Sequence, residues 1–155
     1  MTRYEELLTT AEKMKLLVIE LNLGTDKKCG KYFDNIIIIN SNMTKSEKLE
    51  ILAEEIGHHN TSYGHICDQK SIENRKQEAY ARRNGYKYIA KPKDIIEAVK
   101  NGAYDLNSIA DYFFVSPELL ADIIEDWKKQ YGLGIKLGEY YLQLNPWVNL
   151  QKVIY

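Results

Sequence analysis

Glu54, Glu55, His58 and His59 share one short run, Ala53-Glu54-Glu55-Ile56-Gly57-His58-His59. In an α-helix, residues four apart lie one above the other on the same face, so Glu54 stacks on His58 and Glu55 on His59. Potential ligands at that spacing, with a carboxylate beside them to act on a bound water, are what a catalytic transition-metal site needs. The same spacing suits a solvated helix face that ends in two histidines, which the helix macrodipole favours at a C-terminus. Spacing alone leaves both readings open. It also leaves two registers, Glu54 with His58 or Glu55 with His59.

The elements around the run say how it would be held. Thr44-Lys45-Ser46-Glu47 spells a capping box, in which the Thr44 hydroxyl accepts the Glu47 amide and the Glu47 carboxylate reaches back. The helix it starts is expected to run to about His59. At roughly 100° per residue, Leu49, Leu52, Ala53 and Ile56 fall on one apolar stripe. Glu54 and His58 lie on the other side near Ile51, with Glu55 and His59 at its flank, as on a helix lining a cleft. Gly57 costs about 1 kcal/mol of helix propensity against alanine, which close approach of another backbone would explain. Upstream, Ile36 to Ile39 predict a strand buried on both faces. Thr2 to Met14 predict an amphipathic helix, and Leu16 to Leu21 either a strand or a continuation of it. Gly24 to Gly30 is turn chemistry.

Downstream, residues 60–70 read as a loop holding Tyr63, His65 and Cys67. A helix from Ser71 or Ile72 carries Glu78, Tyr80 and Ala81 and is broken at Lys91-Pro92. Further helices are expected over Lys93 to Asn101, from Leu106, and from Glu118 to Tyr131, with Ser116 as N-cap and Pro117 at the first helical position. Residues 132–155 carry short apolar runs that suit a hairpin or an arm. Tyr63, His65 and Tyr80 are candidates to steady a developing oxyanion, and equally suit plain loop or helix surface.

The run from Ile37 to His58 resembles the segment leading into the metal helix of the ImmA/IrrE metallopeptidases. That family has a strand, a short turn and a helix with His-Glu-x-x-His inside Leu-Ala-His-Glu-Leu-Gly-His. Leu52-Ala53-Glu54-Glu55-Ile56-Gly57-His58 follows this pattern with Glu54 standing for the first His. Glu78-Ala79-Tyr80-Ala81-Arg82 resembles the family's Glu-x-x-Ala third-ligand segment, and Leu106 to Tyr131 its helical C-terminal part in phage and mobile-element members. The resemblance covers roughly residues 30 to 131.

The resemblance implies an α+β fold, with a mostly helical zincin-like core, a small β-sheet and a helical C-terminal part. Residues 1–92 would form the peptidase-like core, 93–131 a helical hairpin region and 132–155 a tail. Glu54, His58 and Glu78 would hold Zn²⁺, or Mn²⁺ given so many carboxylates, and Glu55 would be the general base of an endopeptidase. His59 stays an alternative ligand. The implied substrate is a helix-turn-helix repressor of a phage or mobile element. The alternative is a non-catalytic regulatory or protein-binding member of the same fold that has lost its metal.

Composition excludes other classes. A net charge of -1 gives no broad basic surface for bulk binding to nucleic acid or anionic lipid. No apolar run approaches membrane-spanning length and no leader is evident. Cys29 and Cys67 form no CxxC and suggest free thiols in a reducing compartment. These features lead us to expect a soluble, cytoplasmic protein. Ser108 to Leu120 has the rhythm of a helix-turn-helix, but the second helix offers Glu118, Asp122, Glu125 and Asp126 where a DNA reader needs cations. Direct DNA binding is therefore disfavoured, and a hairpin that packs on the core or docks a partner is favoured.

Overall fold

β-Branched residues in series favour the extended backbone, and the four consecutive isoleucines do form the central strand of a small sheet. In the computed structural model, which describes residues 2–25, 30–61 and 72–153, the first sheet holds β1 (Leu17–Leu21), β2 (Gly30–Phe33) and β3 (Ile36–Asn40). β3 lies in the middle, parallel to β1 and antiparallel to β2, with Val18 and Tyr32 both opposite Ile37. Asp34 and Asn35 make the β2–β3 turn, both at positive φ, as a two-residue hairpin turn requires. Ile37 and Ile39 are fully buried, whereas Ile36 and Ile38 are half-buried. The expectation of burial on both faces is therefore corrected: helices cover one face, and the strand keeps the alternation of a half-covered sheet.

Helix α1 (Arg3–Lys13) is started by a Thr2–Glu5 capping box and buries Tyr4, Leu7 and Ala11. It does not continue into the next apolar run. Lys15 turns the chain at φ 62°, and β1 begins two residues later. Helix α2 (Lys45–Thr61) follows β3. At its start the Thr44 hydroxyl accepts from the Glu47 amide, as the capping box predicts, and donates to the Glu47 carboxylate, each at 3.1 Å. The predicted stripe of Leu49, Leu52, Ala53 and Ile56 is buried, and Gly57 with it. Lys48 pairs with Glu20 of β1 at 2.5 Å, fixing α2 on the sheet.

Asn40 is the polar anchor at the end of β3. Its side chain is 1% exposed. The Asn40 carbonyl oxygen accepts from the amides of Leu23 (3.1 Å) and Asn42 (3.2 Å), and its NH₂ donates to the Gly24 carbonyl at 2.8 Å. One amide thus ties the loop after β1 to the turn that launches α2. Helix α3 (Ile72–Tyr86) completes the first compact unit, Met1–Ile89.

The second unit, Ala90–Tyr155, holds α4 (Asp94–Lys100), α5 (Leu106–Phe113) and α6 (Pro117–Tyr131). Asp105 and Ser116 cap α5 and α6, and Phe114 makes the sharp turn between them in the left-handed region. Leu120, Ile123, Ile124 and Trp127 supply the buried face of α6. The tail is a three-stranded antiparallel sheet in the order β4 (Gly134–Leu137), β5 (Tyr140–Gln143), β6 (Asn149–Lys152). It belongs to this unit together with the helices.

Removing the Asn40 amide leaves the part-buried amides of Leu23 and Asn42 without their partner, and an unsatisfied buried group costs about 1–3 kcal/mol. Asn40→Ala is expected to lower the stability to urea by about 3 kcal/mol. A loss below about 0.5 kcal/mol, the scatter of ordinary surface changes, would show that water replaces the anchor.

Candidate metal centre

Two helices bring the chemistry together, and small residues set their distance. A Cβ added to Gly57 of α2 would stand 2.9 Å from the Gly85 amide nitrogen and closer still to the Ala81 carbonyl oxygen. One added to Gly85 of α3 would stand 2.6 Å from the Ala53 carbonyl and 3.3 Å from the Glu54 Cα. The helices therefore touch backbone to backbone along Ala53 and Gly57 on one side and Ala81 and Gly85 on the other. Each pair is four residues apart, one turn of the same helix face. Beyond the contact, the Asn60 NH₂ donates to Asn84 Oδ1 and to Tyr88 Oη, both at 2.8 Å, and locks the C-terminal ends of the helices together.

The ligand candidates sit beside these small residues. Glu54 follows Ala53, His58 follows Gly57, and Glu78 stands one turn before Ala81. Glu54, His58 and Glu78 converge, with one donor atom from each within 4.8 Å of the others. Glu78 is 9% exposed, and its Oε1 lies 3.2 Å from His58 Nε2 and 3.8 Å from Arg82 Nη2. Glu55, next to this triad, has its carboxyl pushed up to about 7 from an ordinary 4.5, by burial first and then by the negative charges of Glu54 and Glu78. A divalent cation fits this arrangement. The donors are oxygen and imidazole nitrogen, one is buried, and three carboxylates crowd a space that a positive charge would relieve.

The other sequence candidates fare differently. His59 is half-buried and belongs to no group of three potential ligands among the described residues. Tyr80 is 61% exposed, facing away from the packed side of α3. Tyr63, His65 and Cys67 lie outside the described residues. Reasoning from sequence missed Gly85, Arg82 as a charge beside Glu78, and the Asn60–Asn84–Tyr88 lock. For Gly85 a signal existed, since Ala81-x-x-x-Gly85 repeats the spacing of Ala53-x-x-x-Gly57.

Comparison with known families agrees with this geometry. The model of the M78 peptidases, described as an IrrE N-terminal-like domain, matches residues 11–124. No curated protein and no solved structure matches the chain.

Two outcomes follow from the packing and the charge. Alanine is favoured over glycine within a helix by about 1 kcal/mol, yet Gly85→Ala is expected to destabilise the protein by about 2 kcal/mol through the clash with the Ala53 carbonyl. A gain in urea resistance would refute the backbone contact. In the metal-free protein the folded state holds Glu55 protonated more strongly than the unfolded chain does. The associated stability is fully present below the unfolded value of 4.5 and is lost as pH rises through about 7. Chemical denaturation at a series of pH values should show a fall of about 3 kcal/mol over this window that Glu55→Gln removes. An identical slope in both proteins would discount the crowding of Glu55.

Proposed function

The chain belongs to the M78 peptidase family through its IrrE N-terminal-like domain, and on that footing we propose that it is a metal-dependent endopeptidase. The observation that carries the reading is the convergence of Glu54, His58 and Glu78 with the half-buried carboxyl of Glu55 beside them. These three side chains would hold the cation, which supplies Lewis acidity to polarise the scissile carbonyl and acidify a water. Glu55 takes the proton from the attacking water, keeps it on its carboxyl and delivers it to the nitrogen of the leaving amine.

Glu54 in place of imidazole makes the donor set harder than two histidines and one carboxylate. We propose Zn²⁺ as the cation, with Mn²⁺ as the alternative that the second carboxylate allows. The substrate we propose is a protein, a helix-turn-helix repressor of a phage or mobile element, and the compartment the cytoplasm; the repressor rests on family analogy alone. No helix among the described residues is long and apolar enough to cross a membrane. A second reading, a regulatory protein of this fold without metal, draws on the same substitution at Glu54 and on the pairing of Glu78 with His58 and Arg82.

Metal analysis separates the two. After loading with Zn²⁺ or Mn²⁺ the protein should retain stoichiometric metal, His58→Ala and Glu78→Ala should lose it, and Glu54→His should tighten Zn²⁺ by about ten-fold or more. Glu55→Gln should keep the metal and lose about 100-fold or more of the cleavage of a repressor encoded beside the gene. A protein that stays metal-free on loading overturns the peptidase. Unchanged Zn²⁺ affinity in Glu54→His moves the site to Glu55 and His59.

A further inference from the structure

The second unit carries a cleft that plays no part in the metal site. It has a volume of about 420 Å³ and is floored by the buried Ile124 of α6 and Leu144, which follows β5. Its walls include Tyr104, Leu106 and Trp147, which are 74%, 40% and 68% exposed. Large apolar side chains gathered at one concavity are uncommon on a surface with no partner. Both aromatic rings stand on fixed backbone. Tyr104 precedes the Asp105–Ser108 capping box, and the Gln143 side chain donates to the Trp147 carbonyl at 3.2 Å.

Charge narrows the occupant. From Asn101 to Trp127 the chain has six carboxylates, Asp105, Asp111, Glu118, Asp122, Glu125 and Asp126, and no lysine or arginine. Asp105 and Glu125 line the cleft itself. At roughly 100° per residue, Glu118 and Asp122 fall on the side of α6 next to Glu125, and all three are exposed. Lys128 also lines the cleft, with its ammonium paired to Glu125 at 2.7 Å. The rim is therefore acidic, and it repels nucleic-acid phosphates and anionic lipid headgroups alike. From Glu118 to Lys128 the helix spans about 15 Å at 1.5 Å per residue, longer than a small ligand in the cleft would use.

We propose that this cleft and the acidic edge of α6 dock a basic amphipathic segment of a partner protein. An apolar side chain of the partner sits between Tyr104 and Trp147, and its lysines or arginines lie along Glu118 and Asp122. This surface stands independently of the metal site.

The test uses the full chain and two dye-labelled synthetic helices with the same leucine stripe, one flanked by lysines and the other by glutamates. Fluorescence anisotropy should show the lysine helix binding at least about ten-fold more tightly than the glutamate helix. Raising salt from about 50 mM to about 500 mM should weaken it, because exposed charge pairs are screened. Trp147→Ser and the double change Glu118→Lys with Asp122→Lys should each weaken binding about ten-fold, while Glu139→Lys, an exposed acid outside the cleft, should not. Should Trp147→Ser fail to fold, the double charge reversal decides alone. Equal binding of the two helices, or binding that survives the charge reversal, overturns the proposal. So does a chain that dimerises and ignores both peptides, or one that takes only a small apolar dye.

Discussion

The site depends on how closely two helix backbones can approach. Ligands on separate helices serve one ion only if their Cα atoms are near enough for short side chains to meet, and ordinary side chains hold helix axes 8–10 Å apart. Ala53 and Gly57 against Ala81 and Gly85 remove that spacer. The residues that bring the helices together are chain neighbours of those that would carry the chemistry, so the packing contact and the donor cluster share one crossing. The sheet contributes by fixing the direction of α2. Lys48 reaches Glu20 on β1, and Asn40 ties the launch of the helix to the loop before β2.

Against this close packing stands an electrostatic cost. Glu54, Glu55 and Glu78 are gathered in partly buried space, where like charges repel and burial penalises each of them. Without a cation, the fold relieves the strain by holding a proton on Glu55 and by setting His58 and Arg82 around Glu78. A neutral imidazole in place of Glu54 would lessen the repulsion. Glu54 therefore makes the metal-free protein less comfortable and a divalent ion more welcome. Polar crowding of this kind is a common feature of ligand-binding sites, where burial and like charges are set together.

Local signals were legible in the sequence, and contacts between distant segments were mostly not. The capping residues Thr44 and Ser116 state where helices begin, because each satisfies amides only a few residues away. The apolar stripe of α2 was legible for the same reason, and with it the separation of Glu54 and His58 from the core. Lys15 was not, since an αL turn at a lysine is imposed by β1 pairing with β3 and has no signature of its own. The half-covered face of β3 was not either: four isoleucines read alike whether one face or two are packed. Gly57 signalled close approach without naming the neighbour, and Gly85 shows that the neighbour answers with the same spacing. The tail lay between these cases, its apolar runs suggesting a hairpin where three strands pair.

The family match ends at residue 124, part-way along α6. Helix α1 falls mostly before its start at residue 11, while the elements that carry and align the donor cluster, from β1 to α3, lie within it. The cleft of the second unit does not: Ile124 is its last matched wall, while Leu144, Pro146, Trp147 and Val148 come from the segment beyond. The α5–α6 hairpin is thus covered on one side by residues outside the family domain, and the helix that would read DNA in a helix-turn-helix is acidic along the edge that remains open. A hairpin whose second helix sets Glu118, Asp122 and Glu125 along one edge and keeps its lysines to the last turn is poorly matched to a phosphate backbone.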